Sequence, residues 1–104
     1  MATVTKVLAR TAAATSSTVL YTVPSATTTV VSNIAVTNTA GSAGTFTLGM
    51  GTAGSNTSLH TTTAIAANAT VYIDLKQVLV ATNTITGLAS ATTINFHISG
   101  VEIS

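Results

Sequence analysis

Side chains branched at Cβ dominate this chain. About a quarter of its residues are threonine, with valine and isoleucine added to them. Two heavy atoms on Cβ restrict χ1, which disfavours helix and suits a pleated, half-buried surface. An all-β fold follows, and the residue order agrees. Phe46, Leu48 and Met50 alternate with Thr45, Thr47 and Gly49, as do Val71, Ile73 and Leu75 with Thr70, Tyr72 and Asp74. Near the end, Ile94, Phe96 and Ile98 alternate with Asn95, His97 and Ser99. Successive strand residues point to opposite faces, so each run has one apolar face. Thr28–Thr39 is read the same way, with Val30, Ile34 and Val36 as its apolar face and Ser32 and Asn38 as polar positions.

Turn-forming clusters separate these runs: Pro24-Ser25-Ala26, the Gly/Ser/Ala segment 40–44, the stretch from Gly51 to Ser58, Ala67-Asn68-Ala69, and the stretch from Gly87 to Ala91. Their spacing predicts about eight short strands in one small β-sandwich or jelly-roll-like barrel. A length of 104 residues suits a single domain. Residues 19–104 are expected to form the sandwich and residues 1–18 an N-terminal arm and linker. In 11–18, TAAATSST, threonine and serine surround the alanines and favour an extended link over a helix. Within the arm, Val4, Lys6 and Leu8 share one parity and Thr3, Thr5, Val7 and Ala9 the other. The two faces are poorly distinguished, so register is weakly specified, and such a strand pairs at a sheet edge or reaches a neighbouring subunit. Thr3, Val4, Thr5, Lys6, Val7, Leu8 and Arg10 are therefore the candidate interface residues.

Only 5% of the residues are charged, against about 25% in a typical soluble domain. They are Lys6, Arg10, Asp74, Lys76 and Glu102, so none lies between positions 11 and 73. Three basic side chains and four Tyr and Phe residues cannot neutralise and stack on a nucleic acid strand. Thr, Ser, Asn or Gly interrupts every apolar run well short of the roughly 20 residues a spanning helix needs, so no membrane partner is expected. The start lacks the basic and apolar regions of a secretory signal. Cysteine is absent, which removes disulfides and thiolate metal sites. Ordinary monomers keep a mixed charged surface and blunt their sheet edges with charge or proline. Either the hydroxyl- and amide-rich surface suffices for such a chain, or much of it is covered by copies of itself or by a larger partner, and the second is the expectation.

Reactive chemistry is correspondingly thin. A hydrolytic site would need its base and orienting acid from His60, His97, Asp74 and Glu102, which are scattered over separate elements and show no metal-ligand spacing. A carboxylate pair for glycoside cleavage would need an aromatic cleft, and the chain has no tryptophan. GMGTAGS has no following lysine and reads as a hairpin tip, not a phosphate loop. Asp74 and Lys76, two apart on a strand, could form a local ion pair. No catalytic residue, cofactor or metal is assigned, and no enzymatic activity is expected.

The segment LYTVP at Leu20–Pro24, the strand TTVVSNIAVTNT at Thr28–Thr39, the Gly/Ser/Ala turn and GTFTL at Gly44–Leu48 resemble small β-rich virion proteins of tailed bacteriophages. So does the ending INFHISGVEIS, Ile94–Ser104. The resemblance covers both ends better than roughly residues 50–68, which look shorter and less aromatic than in such proteins. It implies a virion component, most simply a capsid decoration (cement) protein that binds the assembled shell and stabilises it, forming a homotrimer or homodimer and contacting the major capsid protein or another virion protein. Tail, neck, baseplate or fibre-associated proteins are similar too, and a carbohydrate-binding host-attachment module is the reading from another class. The motifs are structural and carry over no catalytic residue.

Overall fold

Where the sequence alternates, the chain is extended. The computed structural model describes residues 3–52 and 54–104, and within them eight strands follow one another with no helix: β1 (Thr3–Ala12), β2 (Thr18–Thr22), β3 (Thr28–Asn38), β4 (Gly44–Thr52), β5 (Ser55–Ile65), β6 (Thr70–Leu79), β7 (Asn83–Ala89) and β8 (Ile94–Ile103). They form two four-stranded sheets, β1-β8-β3-β6 and β2-β7-β4-β5, with every ladder antiparallel. Only β4 and β5 are neighbours both in the chain and in a sheet. Every other ladder joins strands remote in sequence, the two-Greek-key order of a jelly roll.

The inner faces of the two sheets make the core. Phe96 of the first sheet meets Phe46 of the second edge-to-face, with ring centroids 6.3 Å apart and planes at 73°. Around them lie Ile34, Val36, Ile94 and Ile98 from one side and Leu48, Ile65 and Ile85 from the other, all removed from solvent. Full burial of side chains this size stabilises by about 1.5–3 kcal/mol each. The expected alternation holds in β4 and β8, where Phe46, Leu48, Met50, Ile94, Phe96 and Ile98 are all buried; Gly49, expected on the other face of β4, is buried as well, as is Gly100 in β8.

In β3 it does not hold throughout. The ladder to β8 slips between Val31 and Asn33, leaving Ser32 as an extra residue. Below the bulge the inward residues are Thr29 and Val31; above it they are Ile34, Val36 and Asn38. Val30, expected on the apolar face with Ile34 and Val36, is half-buried on the outer side, and Asn38, expected as a polar position, is buried. A bulge inserts one residue and reverses the parity of all that follows, which parts Val30 from Ile34 and Val36. Asn38, by contrast, shares the parity of those two and turns inward with them despite its polarity.

Two expected turns are also shorter than their composition suggested. The stretch from Gly51 to Ser58 is taken up by the end of β4 and the start of β5. Gly87 to Ala89 belongs to β7, where a side chain at Gly87 would meet Leu20, Phe96 and Leu48 within 2.8–3.3 Å. Glycine sits there because the core leaves no room, not because the chain turns.

Candidate interaction surface

Four strands have a free edge, β1 and β6 on the first sheet and β2 and β5 on the second. β1 carries the expected interface residues. Thr3, Val4, Thr5, Lys6, Val7 and Arg10 are exposed, Val4 by 51% and Val7 by 48%. Leu8 is not part of that surface. The β1–β8 ladder slips between Val7 and Ala9, so Leu8 is the extra residue and turns into the core. It anchors the strand whose neighbours face solvent.

Lys6 is tied down at one end of the sandwich. Its Nζ lies 3.3 Å from Oε1 of Glu102 on β8. The other Glu102 oxygen accepts from the Tyr21 hydroxyl of β2, and that hydroxyl is also 2.9 Å from Thr29 Oγ1 on β3. Lys6 and Tyr21 thus meet on the Glu102 carboxylate, and Thr29 joins through the Tyr21 hydroxyl, so four strands and both sheets converge on one group. Burial pushes the Tyr21 phenol up to about 12, with the hydrogen bond to Glu102 acting in the same direction. That hydrogen bond and the Lys6 ammonium hold the Glu102 carboxyl below its usual range. Parity did not reveal this group, because Tyr21 follows a further ladder slip between Val19 and Tyr21.

On the outer face of the first sheet, a row of valines crosses three strands, Val101 of β8 against Val30 of β3 against Val78 of β6. Beyond the row of Ser99, Asn33 and Asp74, His97 of β8 lies between Arg10 of β1 and Ala35 of β3, and Ala35 lies beside Tyr72 of β6. His97 is exposed, as its parity predicted. Tyr72 is 72% exposed and Val78 62%. Asp74 and Lys76 form no ion pair with one another; Asp74 accepts from Asn33 Nδ2 at 3.4 Å. The expected local pair is replaced by a bond across the sheet to β3.

A shallow depression of about 440 Å³ opens over the second sheet, lined by Thr47, Gly49, Asn56, Ser58, Thr86 and Leu88. Asn56 is fully engaged within it. Its amide nitrogen donates to the carbonyls of Gly51 and Thr52 at 3.2 and 2.8 Å, and its oxygen accepts from Thr86 Oγ1 at 2.9 Å. These bonds clamp the start of β5 over β4 and β7 and leave no free polar group on Asn56. His60 packs against Phe46, with ring centroids 5.8 Å apart, and its Nδ1 is 3.3 Å from Thr63 Oγ1. Among the described residues, no three His, Cys, Asp or Glu side chains come together as a metal site would require.

No family model matches this sequence, and no curated protein matches it. Solved structures do share its fold. A chain of the infectious bursal disease virus Gx strain structure superposes with a TM-score of 0.59 at 12% identity, covering 97% of this chain and 30% of that one. A chain from the T13 infectious bursal disease virus particle gives 0.57 at 7% identity, again over 97% and 30%. A chain of the Bacillus endospore appendages, described as disulfide-linked pili, gives 0.56 at 14% identity over 99% of this chain and 85% of that one. The present chain therefore spans under a third of the viral chains and most of the pilus chain. At such identities these likenesses establish the double-sheet fold.

Proposed function

We propose that this protein is a structural component of a virus particle, and specifically a decoration (cement) subunit that binds the outside of an assembled capsid shell and stabilises it. The observation that carries the reading is the pairing of a complete jelly-roll sheet order with an almost uncharged surface. The same double sheet occurs in chains of infectious bursal disease virus, and a chain with five charged residues is suited to lasting contact with other protein. Fold alone does not assign a role, so the surface has to agree with it. The free β1 edge, with Thr3, Val4, Thr5, Val7 and Arg10 exposed, is the part proposed to reach the major capsid protein or a neighbouring virion protein.

Such a subunit needs no catalytic group. Binding the assembled lattice but not its separated parts shifts the equilibrium toward the lattice by mass action. Contacts repeated in a homo-oligomer add through effective concentration. The likeness to the endospore appendages supports the competing reading of a filament subunit. Those pili are described as disulfide-linked, however, and this chain has no cysteine with which to make such links.

The test is the copy number of this protein per purified particle, measured against the major capsid protein by quantitative mass spectrometry. A simple fraction of the shell subunit count is expected. A handful of copies per particle would assign it to a tail or single vertex instead, and absence from particles would end the structural reading.

A further inference from the structure

The four free edges are not equivalent in what they can pair with. β2 has only five residues and runs out before Pro24. β5 bends at Thr62, whose φ of 45° breaks the extended backbone. β1 has two cations, Lys6 and Arg10, placed symmetrically about Leu8, so a two-fold antiparallel pairing about Leu8 would set like charges opposite each other. β6 is the reverse case. Its outward residues read Thr70, Tyr72, Asp74, Lys76 and Val78, with Val80 just beyond the strand. Tyr72, Val78 and Val80 are three of the six large apolar side chains exposed on the described surface.

From this pattern we infer that β6 is a self-pairing edge, joining two copies of this chain antiparallel across a two-fold axis at Leu75 and fusing their first sheets into one eight-stranded sheet. The register follows from the chemistry. With Leu75 on the axis, Asp74 faces the partner's Lys76 and Lys76 faces the partner's Asp74. Tyr72 then faces the partner's Val78, and Val78 the partner's Tyr72. Both charges lack an ion-pair partner within their own chain among the described residues. Opposite charges and aromatic–β-branched pairs are the cross-strand combinations that stabilise antiparallel neighbours.

The outer face supports the same register. The valine row formed by Val101, Val30 and Val78 continues into the partner's Tyr72 and then the partner's Ala35. Between Gln77 and Asp74 the ladder to β3 slips, leaving Leu75 and Lys76 opposite Ser32. A bulge increases local twist. Because the slip lies at the proposed axis, each copy brings an equal twist to the same point. An isologous interface of this kind is closed, so it gives a dimer and not a fibre. The inference stands apart from the virion reading, since it concerns only how two copies meet.

Sedimentation equilibrium of the purified full chain tests it, with the Asp74→Lys variant and the Asp74→Lys, Lys76→Asp double variant beside the wild type. The wild type should be dimeric. Asp74→Lys sets lysines against one another twice and should weaken the dimer by about tenfold or more. Exchanging both residues restores opposite charges in the same register and should return the dimer. Far-ultraviolet circular dichroism checks that the variants are folded. A monomeric wild type at high micromolar concentration would overturn the inference. So would a dimer indifferent to Asp74→Lys, or a double variant no tighter than the single one.

Discussion

Asn38 shows how much one position can carry. Its buried Nδ2 donates to the carbonyl of Ser42 at 2.8 Å and to that of Ala66 at 3.3 Å, while its Oδ1 accepts from the Ala40 amide at 3.0 Å. One side chain thereby joins the β3–β4 loop to the β5–β6 loop. Removing it takes three hydrogen bonds from two loops and empties space at a buried position, at a net cost of about 0.5–1.5 kcal/mol for each bond lost. Asn38→Ala should lower the unfolding free energy in urea by that order. Asn38→Asp should lower it further, because a carboxylate would face two carbonyl oxygens. Equal stability of the two variants would remove this role. Gly100 makes a different demand. A Cβ there would run into the Val30 carbonyl and lie 2.9 Å from Leu8 Cδ1 and 3.2 Å from Val31 Cα. Two of those neighbours are backbone and cannot rotate away, so Gly100→Ala should cost about 3 kcal/mol or more. An unchanged urea midpoint would show that the sheet gives way there. At this scale the sequence was informative wherever parity ran unbroken, as at His97 and Tyr72. It misled at Asn38, where polar character suggested the outer face although the residue shares the parity of Ile34 and Val36 and turns inward with them.

Among the elements, the strands were visible and their slips were not. Period-two alternation marks a strand because one face is buried, but an inserted residue leaves composition and hydrophobicity almost unchanged. Ser32, Leu8 and Leu20 are each such an extra residue. The slips decide which side chains meet at the Lys6–Glu102–Tyr21–Thr29 group, where β1, β8, β2 and β3 converge. That group predicts a pH response. Glu102 titrates lower in the folded protein than its ordinary 4.5. Its contribution is complete above that value and is lost as the pH falls through the folded one. Tyr21 is raised from 10.0 to about 12, so its contribution is complete below 10 and is lost as the pH rises toward 12. Thermal unfolding followed across pH should therefore fall off at both ends. Glu102→Gln should flatten the acid limb, and Tyr21→Phe the alkaline one. An acid limb unchanged by Glu102→Gln would show that the loss does not run through Glu102.

At the scale of the whole molecule, composition predicted an all-β sandwich, but strand order was beyond its reach. Pairing of β1 with β8, or of β2 with β7, is settled by which apolar faces cover each other once the chain has collapsed, and no local pattern encodes it. The same topology bears on folding. With β4–β5 as the only ladder between successive strands among the described residues, most pairing closes long loops, which slows the search. Refolding in stopped flow should take milliseconds to seconds, and a microsecond phase of full amplitude would contradict the strand order.

The sparse charges give the last prediction, because they separate the two proposed contacts. Attachment to a shell through β1 would rest on backbone pairing, threonine hydroxyls and the exposed Val4 and Val7, with Arg10 as the one exposed cation not engaged in an ion pair on that edge among the described residues. Its affinity should change by less than about threefold between 0.05 and 0.5 M sodium chloride, since screening acts on charges and few are present. Pairing of β6 with β6 brings Asp74 and Lys76 together twice, and exposed pairs are each worth about 0.2–1 kcal/mol and are weakened by salt. Over the same range the dimer should loosen several-fold. Measuring both equilibria on one protein preparation distinguishes the contacts directly. Equal salt dependence would mean that shell binding uses the β6 charges as well, so that a copy could not hold its twin and the shell through separate edges.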